Sequence, residues 1–206
     1  TDVARESASL VLLEDDFGSI VRAVRLGRRI YENIGSAMRY LLAAHVPIAG
    51  MSLLPLAAGW PIFLFPVHVV FLEFVIAPAC SIAFEAEPSE EGAMRRPPRD
   101  PRAPLFGAGN LAASLLLGAS VLAAVGLASG WAVHSGRGEA ETRAIGFAAI
   151  VFGNLALILA NRSHERTIKD TLARPNPALW WVIGGTLAAL GFALYAPPAA
   201  AVFRFA

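Results

Sequence analysis

The 206-residue sequence holds one cysteine, Cys80, and one lysine, Lys169. A lone cysteine excludes an internal disulfide framework and a cysteine-rich metal cluster; inside an apolar run it reads as a small packing residue. Charged residues make up 16% of the chain, against about 25% in an average soluble domain. The net charge is +1, so there is no broad basic surface for nucleic acid. Four histidines, His45, His68, His134 and His164, are too scattered to assemble a zinc cluster. There is no catalytic triad or dinucleotide fingerprint, and the GxxxxG spacings lack the Lys and Ser/Thr of a phosphate loop.

What fills the chain instead is apolar. Hydrophobic residues reach 56% and mean hydropathy is +0.56, the composition of a membrane protein. A helix crosses a hydrocarbon core of about 30 Å with roughly 20 apolar residues, and five runs qualify, at 38–57, 62–84, 107–131, 144–161 and 178–197. The first two are separated by Ala58 to Pro61, AGWP, which predicts a tight hairpin with an interfacial Trp. Trp180 and Trp181 suit the opposite interface.

Arginines set the orientation. Arg22, Arg25, Arg28 and Arg29 precede the first run, Arg95, Arg96, Arg99 and Arg102 follow the second, and Arg162, Arg166, Lys169 and Arg174 follow the fourth. The positive-inside rule places these segments, and the N-terminal segment, in the cytoplasm. The expected fold is an all-α polytopic bundle of about five transmembrane helices in a lipid bilayer, residues 38–206. Residues 1–37 read as a short cytoplasmic α/β remnant: a polar helix at TDVARESA, an apolar strand at SLVLLEDD, then a stalk helix running into the first span without a break, because Ser19 to Leu42 contains no proline. Thirty-seven residues cannot bury a core of their own. The chain opens on Thr1 and shows no secretory leader, so a piece of a longer protein is expected.

The stretches TDVARESASLVLLEDDFGSIVRAVRLGRRIYENI, RYLLAAH and EAEPSEEGAMRRPPRDP, followed by the ending LYAPPAAAVFRF, resemble the end of the phosphorylation domain and the C-terminal membrane region of calcium-pump-like, cation-transporting P-type ATPases. The resemblance implies that the five spans are the fifth to ninth of ten, that residues 1–37 close the phosphorylation domain, and that the upstream pump domains, with their Mg and ATP sites, belong to the same full-length protein. DKTG, TGES and GDGxNDxPAL motifs are absent, so the chain alone is expected to be inactive. A bacterial plasma membrane is the expected location. A non-enzymatic module, a secondary transporter or a regulatory helical subunit, is the alternative, but a secondary transporter has no need of a strand-plus-stalk at residues 1–37.

An ionisable residue at bilayer depth costs roughly 2.5–3.5 kcal/mol on insertion scales, so it normally faces the bundle interior and marks an ion path. Glu73 is such a residue. Pro78 leaves the Phe74 carbonyl without its helical donor, and a carboxylate beside free carbonyls suits a hard cation. The other reading is a glutamate that ties helices together. His45, with Pro47 freeing the Ala43 carbonyl, lies in the antiparallel neighbour and either approaches Glu73 or bonds its own kinked backbone. The resemblance aligns His45 and Glu73 with cation-binding positions, but places Ile48, Ile76 and Ala77 where calcium pumps carry oxygen donors, which argues against a two-calcium site. It also aligns Asn154 with a cation-binding glutamate. Asn154 and Asn161 share one helical face, where amides either bind a cation or pack helices. Ser81 and Asn161 are weaker candidates. His68 reads as structural, and the acidic run Glu85, Glu87, Glu90 and Glu91 as a solvated loop or a cation entrance.

Overall fold

The computed structural model describes residues 2–9, 11–12, 16–88, 92–98, 100, 107–162 and 176–205. A short helix α1, Asp2–Ser7, precedes α2, which runs from Phe17–Ala58 as 42 unbroken residues. At 1.5 Å per residue that is about 63 Å, roughly twice the hydrocarbon thickness, so stalk and first span are one rod. Asp16 starts it by accepting from the Gly18 N–H at 2.8 Å. Gly59, in the left-handed region at φ 67°, ends it by donating to Pro55.

No strand forms among the described residues. The strand expected at SLVLLEDD falls partly outside them; Ser9, Val11 and Leu12, which are described, have no ladder partner, and an isolated strand leaves its backbone groups unpaired.

The turn between the first two spans is longer than AGWP. Residues 60–65 are non-helical, because a residue before proline is pushed to extended backbone, and Phe65 before Pro66 has ψ 164°. The second span therefore starts at Pro66, as α3, Pro66–Pro78, and continues through a wide π turn, Ala79–Phe84. Next come α4, Ala108–His134, and α5, Glu139–Asn161. α5 begins ahead of the apolar run, with Glu139 and Glu141 in the first turn, where the helix dipole favours acids. α6, Pro177–Tyr195, stops before the Pro197–Pro198 pair, and α7, Pro197–Val202, is a single short turn beyond it. Five of these elements, α2, α3 with its π turn, α4, α5 and α6, are long and apolar enough to span a membrane.

α4 packs along α2, and α5 fills the groove behind them. Gly118 makes the close approach possible: a Cβ there would sit 2.5 Å from the Ala43 carbonyl oxygen and 2.7 Å from Val46 Cβ. Tyr40, Met51, Phe63, Leu72, Ile76, Phe147, Ile150 and Ile158 form the buried core.

Each end of the bundle carries its own polar fastening. At the arginine-rich end, Arg29 donates to the Glu85 and Glu87 carbonyls and Asn33 to both as well, while Arg28 donates to the carbonyls of Ala93 and Arg96. At the other end, Arg143 donates to the Ile62 carbonyl at 3.2 Å and the Arg204 carbonyl at 2.6 Å. There Phe71, Phe147, Phe203 and Phe205 surround His68 or one another, with His68 0.49 nm, or 4.9 Å, from the Phe147 ring.

Candidate functional site

α2 and α3 share one open side. On α2 the exposed stripe is His45, Ala49, Ser52 and Leu56; on α3 it is Val70, Glu73, Ala77 and Ser81. Both stripes follow the i, i+3/i+4 spacing of a single helical face. The opposite faces, with Ala43, Ala44, Ile48 and Met51 on α2 and Leu72 and Ile76 on α3, are buried.

His45 and Glu73 meet across this open side, Nε2 to Oε1 3.6 Å, with side chains 49% and 52% exposed. His45 Nδ1 lies 2.7 Å from the Leu41 carbonyl oxygen. A carbonyl only accepts, so Nδ1 carries the hydrogen and Nε2 is the nitrogen turned to the carboxylate.

Below Glu73 the helix loosens. Pro78 has no N–H for the Phe74 carbonyl, and the next donor, the Ala79 N–H, goes to Val75 and Ile76 instead. The π turn follows directly, a feature frequent at functional sites. Ser81 donates to the Ala77 carbonyl at 2.8 Å, a local bond within its own helix.

The remaining expected groups lie elsewhere. The Ala43 carbonyl, freed by Pro47, sits against Gly118 of α4. Asn161 donates to Leu157 at 2.9 Å, again within its own helix. Asn154 is fully buried on α5 and both its side-chain polar atoms lack a hydrogen-bond partner. A buried amide of this kind calls for an explanation such as a bound ion or water. The structure thus brings His45 and Glu73 together and does not bring Asn154 into hydrogen-bond contact with them. Among the described residues no three His, Cys, Asp or Glu side chains cluster as a metal site.

Residues 61–206 match the family model for the C-terminus of cation-transporting ATPases. The chain belongs to this family. Its curated relatives include a probable cation-transporting ATPase F of Mycobacterium tuberculosis, 30% identical over 73% of this chain and 17% of the relative. A calcium-transporting ATPase of Bacillus subtilis is 37% identical over 52% of this chain and 12% of its own length. The calcium-transporting ATPase type 2C member 2 of mouse is 28% identical over 99% of this chain and 22% of its own. The chain therefore spans 12–22% of the length of these relatives.

This ATPase C-terminus also contains a buried polar group that the sequence reading missed. Glu87, expected in a solvated acidic loop, is 8% exposed. Both its carboxylate oxygens accept from Arg162 at 2.9 Å, and Asn176 donates to Oε2 at 2.8 Å and to the Ala83 carbonyl at 3.0 Å. The same Asn176 caps α6 by accepting from the Leu179 N–H at 3.1 Å. One carboxylate so joins the end of the second span, the end of the fourth and the start of the fifth. The only local signal was an arginine directly after an apolar run; its partner lies 75 residues away.

Proposed function

We propose that this chain is the membrane transport part of an ATP-driven P-type cation pump, and that Glu73 and His45 line its cation path, with Asn154 a further ligand. The observation that carries the reading is the 3.6 Å approach of these two side chains from different spans, beside a proline that leaves the Phe74 carbonyl without its helical donor. An isolated carboxylate at that depth is costly, and a passing cation offsets the cost. The open side of the bundle is then the side that other spans of a longer protein cover. Val21, Val24, Ile30 and Ile34, exposed on the stalk, supply apolar surface for upstream cytoplasmic domains of the same chain.

ATP and Mg are handled outside these residues, since no phosphorylation motif occurs in the sequence; the chain alone is inactive. The arginine-rich end, with the N-terminal segment, faces the cytoplasm of a bacterial cell. In the full-length protein, Glu73→Gln should abolish cation-stimulated ATPase activity while expression and membrane insertion stay at the wild-type level. Undiminished stimulation in that variant removes Glu73 from the mechanism.

A further inference from the structure

We infer that the His45–Glu73 pair selects a cation that accepts nitrogen, a divalent ion of the iron-to-zinc series, over calcium or magnesium. The inference rests on the cation-path reading above and narrows its cargo.

The donor atoms decide the class. With the Leu41 carbonyl accepting at 2.7 Å, Nδ1 carries a hydrogen and Nε2 is the ring nitrogen that faces Glu73 Oε1 at 3.6 Å, the one available to a metal ion when it carries no proton. Two electron-pair donors so oriented repel unless a proton or a metal ion lies between them, and the metal dependence and Co²⁺ spectrum below tell the two apart. A metal ion bound at about 2.1 Å to each would subtend about 118° at this separation, an angle between tetrahedral and trigonal values. Neither donor has to move for such an ion to enter.

Imidazole suits iron, nickel, copper and zinc, whereas calcium and magnesium take oxygen ligands. Calcium would hold one carboxylate oxygen here and gain little from Nε2. The hydrogen bond on the far side of the ring supports the same choice: a histidine ligand normally donates its other ring N–H to a carbonyl or carboxylate, which fixes the tautomer and the ring plane. The Leu41 carbonyl does this on the preceding turn of α2, and the rigid helix holds it in place.

The pair differs from a resident metal centre in having two side-chain donors, and no third His, Cys, Asp or Glu joins it among the described residues. With both side chains about half exposed, its other positions are open to water or to other ligands. Such a partial shell suits a cargo that must leave.

The test uses the full-length protein in lipid, with free Co²⁺, Zn²⁺ and Ca²⁺ each set by a metal buffer. ATPase stimulation should reach half-maximum at least about tenfold lower in Co²⁺ or Zn²⁺ than in Ca²⁺. His45→Asn and His45→Gln should raise the Co²⁺ requirement by about tenfold or more and change that for Ca²⁺ less than about threefold. Bound Co²⁺ should show a visible absorption spectrum of mixed nitrogen and oxygen ligation that both variants alter; this readout needs no turnover. If wild type prefers Ca²⁺, or if the Co²⁺ spectrum and the Co²⁺ to Ca²⁺ ratio are unchanged in both variants while Glu73→Gln still abolishes stimulation, the nitrogen ligand is wrong and the cation path stands. If Glu73→Gln also leaves stimulation intact, both readings fall.

Discussion

Asn154 is the residue at which ligand and structural glue predict opposite outcomes. A buried amide with no hydrogen-bond partner costs about 1–3 kcal/mol, and Asn154 has none for either side-chain atom. If it is kept for a cation, Asn154→Leu should raise the thermal midpoint in detergent and weaken cation affinity; if it ties helices together, the midpoint falls. At the other end of the scale of burial, the Asp16 carboxyl is held below its ordinary value, chiefly by the Gly18 N–H and next by Arg22. A carboxyl depressed in the folded state adds stability above its unfolded pKa of about 3.9 and loses it as pH falls through the lower folded value. Hydrogen exchange of the first turn of α2 should therefore quicken below about pH 4, and Asp16→Asn should remove that pH step. Glu73 and His45 were legible as single polar residues in apolar runs, and their neighbourhood followed from one short hairpin. Glu87 was not, because its burial depends on Arg162 and Asn176, which are distant in sequence.

Among the elements, the α2–α4 pair and the Glu87 junction make separate contributions. Gly118→Val adds side-chain volume where a single Cβ already falls 2.5 Å from the Ala43 carbonyl. Overpacking of this kind costs about 1–3 kcal/mol, so the thermal midpoint should drop, whereas Gly184→Ala, with nothing within 4 Å of its added Cβ, should keep or raise it, since Ala is the better helix former. Glu87→Ala removes a buried ion pair with Arg162 and the acceptor of Asn176 and should lower the thermal midpoint; Glu87→Gln, which keeps an acceptor for Asn176, should recover part of the loss. The spans themselves were readable because apolar length is a local property. Their ends were less so: Pro66 and its extended predecessor moved the start of α3, and favourable acids at the N-terminus moved the start of α5. The strand expected at SLVLLEDD was a local pattern, and its described residues Ser9, Val11 and Leu12 form no strand.

For the whole molecule, three arginine-rich segments should lie on one side of the membrane and two turns without net charge on the other. With Cys80 replaced by Ser, a cysteine at Arg96 should react with an impermeant maleimide only when the cytoplasmic face is opened, and one at Ser135 should react in intact cells. The reverse pattern inverts the topology. The central claim is that His45 and Glu73 hold one cation jointly, and a double-mutant cycle tests it most directly. Cation affinity is measured by equilibrium binding to the full-length protein for wild type, His45→Asn, Glu73→Gln and the double variant. Joint ligation predicts a coupling energy above about 0.5 kcal/mol, the second substitution costing less than the first; strictly additive losses, or no loss in either single variant, contradict it.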